Sequence, residues 1–146
     1  MPPDSARIEE TRAWFHKANI DLRAARVDLD ADPPIAEDVL FHCQQAAEKS
    51  LKGFLTWHDQ PFRKTHSLVE LGMQCAELDP SLETLLREAS GLSEYATKYR
   101  YPGETIPATV EEASDAIRLA IEVFQQVLAQ LPFEVRPSSQ QGLFGQ

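Results

Sequence analysis

Apolar residues recur at spacings of three and four along most of the chain, the period of a helix with one buried face. Between Ser5 and Leu29 that stripe is Trp14, Ala18, Leu22, Ala25 and Leu29, and Asp32-Pro33-Pro34 ends it. Pro34 then fits the first turn of a second helix, with Glu37 and Asp38 at the positive end of its dipole. This helix runs to about Trp57 on a stripe of Leu40, Cys43, Ala47, Leu51, Phe54 and Leu55. The segment from His58 to Lys64 has no period and contains Pro61, which predicts a surface connection. Ser67 and Glu70 stand at capping-box spacing, opening a third helix through Leu68, Leu71, Cys75 and Leu78. Asp79-Pro80 supplies an N-cap and a first-turn proline for a fourth helix through Leu82, Leu86, Ala89, Leu92 and Ala96, ending near Tyr101-Pro102-Gly103. Thr109 and Glu112 repeat the box before a fifth stripe of Ala113, Ile117, Ala120, Phe124, Val127 and Leu131, which Pro132 closes.

With no strand alternation, repeat or phosphate-loop glycine pattern in the sequence, the fold class is all-α. Short links between long helices make neighbours antiparallel, so the architecture expected is an up-down bundle of four to five helices over residues 1–132. Residues 133–146, mixing Ser, Gln, Gly and Pro, read as a flexible C-terminal tail.

Composition narrows the picture. At 146 residues and 42% apolar content, one core can be buried and two are not expected. No run approaches the roughly 18 to 20 apolar residues of a membrane span, and no secretory-type apolar stretch opens the chain, so no membrane contact and a cytoplasmic location are expected. Cys43 and Cys75 form no CxxC pair and read as buried thiols, giving no metal site and no disulfide framework. Fourteen basic against 23 acidic residues leave a net charge of −9, which disfavours non-specific duplex binding and makes RNA a weaker candidate than a small anion. The positive charge is clustered, however, at Lys49, Lys52, Arg63 and Lys64 and again at Lys98 and Arg100.

Candidate chemistry lies on the second helix and near it. At about 100° per residue, His42, Gln45, Lys49 and Lys52 fall on one side, opposite the apolar stripe. Left to solvent, such a face is ordinary; Ala46, Ala47 and Gly53 argue instead for close approach of other helices, which would crowd it. His66 precedes a helix start, where a capping or loop role competes with a ligand role. Tyr95 and Tyr99 share a helix face, and Arg100 beside Tyr101-Pro102-Gly103 is a guanidinium on a rigid terminus, suited to a phosphate or carboxylate or to complementing the helix dipole. The ligand-binding set is therefore His42, Gln45, Lys49, Lys52, His66, Tyr95, Tyr99 and Arg100, with no catalytic residue and no cofactor assigned.

The run Phe41-His42-Cys43-Gln44-Gln45-Ala46-Ala47-Glu48-Lys49-Ser50-Leu51-Lys52, then Thr65-His66-Ser67-Leu68, then Tyr95-Ala96-Thr97-Lys98-Tyr99-Arg100-Tyr101-Pro102, resembles the HEPN domain in order and spacing over about Ala13 to Leu131. The resemblance implies a helical bundle, commonly a homodimer, in the branch often paired with a minimal nucleotidyltransferase in a toxin-antitoxin-like arrangement. Functions it implies are nucleotide binding or assembly on one hand and RNA cleavage on the other. The ribonuclease branch resembles a pattern of arginine, four to six residues, then histidine. None of His16, His42, His58 and His66 has an arginine at that separation, Lys52 to His58 having the spacing with lysine instead. A non-catalytic nucleotide-binding or assembly module is accordingly the expectation, a metal-independent ribonuclease with a non-standard site the alternative. Phe15, Trp57 and Ile121 are candidate contributors to a dimer surface.

Overall fold

Four of the five predicted stripes fold as continuous α-helices and the fourth in part: α1 Ser5–Asp30, α2 Ala36–Trp57, α3 Leu68–Leu78, α4 Glu83–Ala89 and α5 Val110–Ala129. The computed structural model describes residues 5–103 and 106–137, and among them there is no strand. The fold is an all-α bundle with α2 at its centre, buried from Val39 to Leu55 except at the half-buried Phe41, His42, Gln45 and Lys49.

Helix α1 packs along α2 in the opposite sense: Arg7 lies over Trp57, Phe15 faces Gly53 and Asp21 reaches His42 and Lys49. Their close approach is made by small side chains, Ala18 and Ala25 on one helix and Ala46 and Ala47 on the other, all without solvent exposure. A Cβ built on Gly53 would stand 2.7 Å from Phe15 Cε2, so glycine is there because the neighbouring ring occupies its side-chain space. Helix α5 runs back beside α1, Phe124 meeting Phe15 edge-on at 6.0 Å while Arg12 Nε donates to the Glu134 carbonyl beyond the helix end (3.1 Å). Helix α3 pairs with α4, Gly72 opposite Leu86.

Termini follow the local chemistry, with corrections. Helix α2 starts at Ala36, so Pro34 precedes it rather than sitting in its first turn. At α5 the Thr109–Glu112 box forms in both directions. At α3 only half does: Ser67 accepts from the Glu70 amide, but the Glu70 carboxylate accepts from Arg63 Nε (2.8 Å). The fourth helix is not continuous. It consists of a 3-10 turn at Pro80–Leu82, α4, and a 3-10 segment at Ser90–Ala96. Ser90 and Gly91 are weak helix formers at that break, and the tighter winding lets Ser93 Oγ accept the free amide of Leu68 at the head of α3 (2.8 Å). Phe15, expected at a subunit surface, is instead fully buried. Where the sequence suggests a tail from 133, the structure has a 3-10 turn, Phe133–Val135, with Val135 buried; residues 138–146 lie outside the described residues.

Helix α2 closes with the amide of Gln60 on the Leu55 carbonyl and that of Asp59 on Thr56, which puts Asp59 at φ 54°. The left-handed conformation costs an L-residue about 1 kcal/mol or more, less for aspartate. Asp59→Gly is expected to stabilise the fold by about 0.5 kcal/mol, read as a small rise in the urea midpoint with unchanged m-value.

Candidate functional site

Three connected polar groups surround α2, and each is set by a different neighbour. On the α1 side, the buried carboxylate of Asp21 accepts from His42 Nδ1 (2.8 Å) and Lys49 Nζ (2.6 Å). The hydrogen bond to Asp21 raises the His42 pKa above its ordinary value; burial opposes this and the charges of Asp38, Asp21 and Asp28 add to it. His42 Nε2 faces Asp38 at 3.4 Å. Asp38 also stands beside Asp28, whose pKa burial and that neighbouring carboxyl push up to about 6. Donor atoms of Asp28, Asp38 and His42 converge within 4.8 Å, and the His42 ring stands where its charge can offset the two carboxyls.

On the α3 side, Glu48 is buried with a side chain 5% exposed, and it accepts from Gln44 Nε2 (3.0 Å), Lys52 Nζ (2.9 Å) and His66 Nδ1 (2.8 Å). Burial alone would raise its pKa; the three donors and the Lys52 charge outweigh that and hold it below the ordinary carboxylate range. Gln44 further donates to the His66 carbonyl (3.1 Å), and Gln45 Nε2 donates to Gln44 Oε1 (2.6 Å). The Lys52 ammonium lies 5.7 Å from the Trp14 ring centre and 5.9 Å from that of Phe62, a favourable arrangement for a desolvated cation.

The third group stands where the start of α2 meets the 3-10 segment after α4. The Arg100 guanidinium lies 4.5 Å over the Phe41 ring, and Tyr95 and Tyr99 stack at 6.1 Å with planes 16° apart. With Ile35, Glu37 and Asp38 these side chains line a cleft of about 310 Å³. Among the described residues no carboxylate pairs with Arg100, and stacking on Phe41 leaves the edges of the guanidinium plane in the geometry that a phosphate fork needs.

Of the eight side chains expected to form one pocket, the cleft is lined by Tyr95, Tyr99 and Arg100. His42 touches it indirectly through Phe41, their rings 5.4 Å apart. Lys49, Lys52 and His66 are committed to Asp21 and Glu48, and Gln45 is tied to that second carboxylate through Gln44. Sequence reasoning missed Asp21, Phe41, Gln44 and Glu48, the residues that organise these groups. One signal was present for Asp21: it occupies position i+3 within the apolar series Ala18, Leu22, Ala25, and a carboxylate on a buried stripe implies a cationic partner. Lys52 and His58 do not act together: Lys52 is held by Glu48, while His58 leans on the Phe54 ring at 4.4 Å with its pKa lowered by burial and by Arg7. Both thiols are buried, which pushes Cys43 up to about 12 and Cys75 higher still, so neither is a nucleophile at neutral pH.

No helix among the described residues is long and apolar enough to cross a membrane. Compared with known families, residues 11–130 match the HEPN domain. No curated protein and no solved structure matches the chain.

Proposed function

This chain belongs to the HEPN domain family, and from that premise we propose that it is a non-catalytic nucleotide-binding and assembly module rather than a nuclease. One observation carries the reading: a guanidinium stacked on Phe41 at the edge of a cleft walled by Tyr95 and Tyr99, with no carboxylate among the described residues in ion-pair contact with it. A base stacks on the aromatic wall and a phosphate takes the fork of Arg100. Asp21 and Glu48 act at one remove, tying down His42, Lys49, Lys52 and His66 and so holding α2 and its neighbours in place behind the cleft. The assembly half of the proposal is a homodimer that partners a minimal nucleotidyltransferase in the cytoplasm. Exposed apolar side chains on α1 (Ile20, Val27) and α3 (Val69, Met73) offer surface for such contacts.

Purified protein is expected to leave RNA intact and to gain thermal stability with a mononucleotide, and Arg100→Ala should abolish that gain while keeping the unliganded melting temperature within about 2 °C. RNA degradation that disappears in His66→Ala or Arg100→Ala would replace this reading with the ribonuclease one.

A further inference from the structure

We infer that the Phe41–Arg100 cleft takes nucleoside monophosphates and turns away the corresponding triphosphates. This deepens the proposed nucleotide-binding role and rests on it. The first argument is charge. Among the described lining residues there is one cation, Arg100, and two carboxylates, Glu37 and Asp38, from the first turn of α2; Asp38 is partly answered by His42 at 3.4 Å, Glu37 is not. One phosphate can be met by the single guanidinium fork. A triphosphate brings further negative charge with no second cation among the lining residues to receive it, into a cleft that also holds the Glu37 carboxylate.

The remaining cations do not relieve this. Lys49 is held by Asp21 and Lys52 by Glu48, on faces of α2 assigned to other groups. Lys98 lies over the Tyr95 and Tyr99 rings at 5.9 and 5.3 Å and hydrogen-bonds Glu94 (3.2 Å). The net charge of −9 adds a repulsive background that grows with ligand charge.

The second argument is size. A cleft of about 310 Å³ stands at the lower end of the roughly 300–1,000 Å³ that small-molecule sites occupy. A volume of that size suits a ligand of nucleoside monophosphate class better than a longer one. Glu37, exposed and without a hydrogen bond among the described residues, is placed to accept from sugar hydroxyls or an exocyclic amine, so the same carboxylate that repels a long phosphate chain can favour a nucleoside.

Calorimetric titration of the full chain with the four common ribonucleoside monophosphates and their triphosphates tests this, with EDTA present so that no divalent cation masks phosphate charge. At least one monophosphate is expected to bind tenfold or more tightly than its triphosphate. Glu37→Gln should narrow that ratio roughly fivefold by tightening the triphosphate, and raising salt on the unaltered protein should narrow it too. The salt series needs no variant, so it decides the matter even if Glu37→Gln folds poorly. A triphosphate binding as tightly as the monophosphate at low salt overturns the inference and leaves the nucleotide-binding role standing. Absence of binding by every nucleotide overturns both.

Discussion

Glu48→Ala is expected to lower stability by about 3 kcal/mol, a drop of roughly 9 °C in melting temperature. The loss comes less from the contacts removed than from what stays behind. Lys52, with a side chain 10% exposed, would keep its charge without its partner, facing only the Trp14 and Phe62 rings. Gln44 and His66 would each lose an acceptor as well. The double variant Glu48→Met/Lys52→Met separates the two causes, because replacing a buried ion pair by apolar side chains is often close to neutral. It should recover more than half of the loss. A single-variant effect under 1 kcal/mol would mean that water reaches the Lys52 ammonium in solution.

The same carboxylate gives a sign to the acid response. A Glu held below its ordinary value stabilises the fold fully above the unfolded-state value, about 4.3, and that contribution is lost as pH falls through the lower, folded-state value. The unaltered protein should therefore lose stability faster than Glu48→Gln as pH is taken from about 4.5 downward. Equal slopes in urea titrations across that range would contradict the assignment.

Sequence periodicity locates the five helices because it depends only on neighbours within a turn or two. What escapes it is any feature whose partner is distant in the chain. Glu48 looks like one more charge on an amphipathic helix until α3 brings His66 against it from 18 positions away. Lys49 looks solvated until α1 supplies Asp21 across 28 positions. The polar face of α2 was visible, and so were the small residues that crowd it; which carboxylates would neutralise it was not. Phe41 gives no local signal of its role, since an aromatic beside a core stripe ordinarily packs inward, whereas here it is half-buried and carries Arg100. The break of the fourth helix at Ser90-Gly91 was written in low propensity, but the reward for breaking it, the Ser93 hydroxyl on the Leu68 amide, is a contact across 25 positions.

The spacing of α2 from α1 governs the Asp21 contacts and the place of Lys52 beside Trp14, and Gly53 sets that spacing at one end. Gly53→Ala should gain about 1 kcal/mol in helix propensity and still destabilise. The new methyl would stand 2.7 and 3.0 Å from the Phe15 ring and 3.1 Å from Trp14 Cβ. Phe15 has no exposure and is blocked behind by Phe124, so the ring cannot swing clear and α1 must shift outward. Overpacking of this kind costs about 1–3 kcal/mol, leaving a net loss of about 1–2 kcal/mol for alanine and a larger one for valine. Phe15→Leu in the Gly53→Ala background should return part of the loss, with a coupling energy of about 1 kcal/mol in the double-mutant cycle. Additivity of the two substitutions would show that Gly53 and Phe15 are not in contact in solution. The shift should also register away from the mutation: moving α1 off α2 lengthens the Asp21 contacts to His42 and Lys49. Gly53→Ala is therefore expected to lower the His42 pKa, measured by NMR titration, toward its ordinary value.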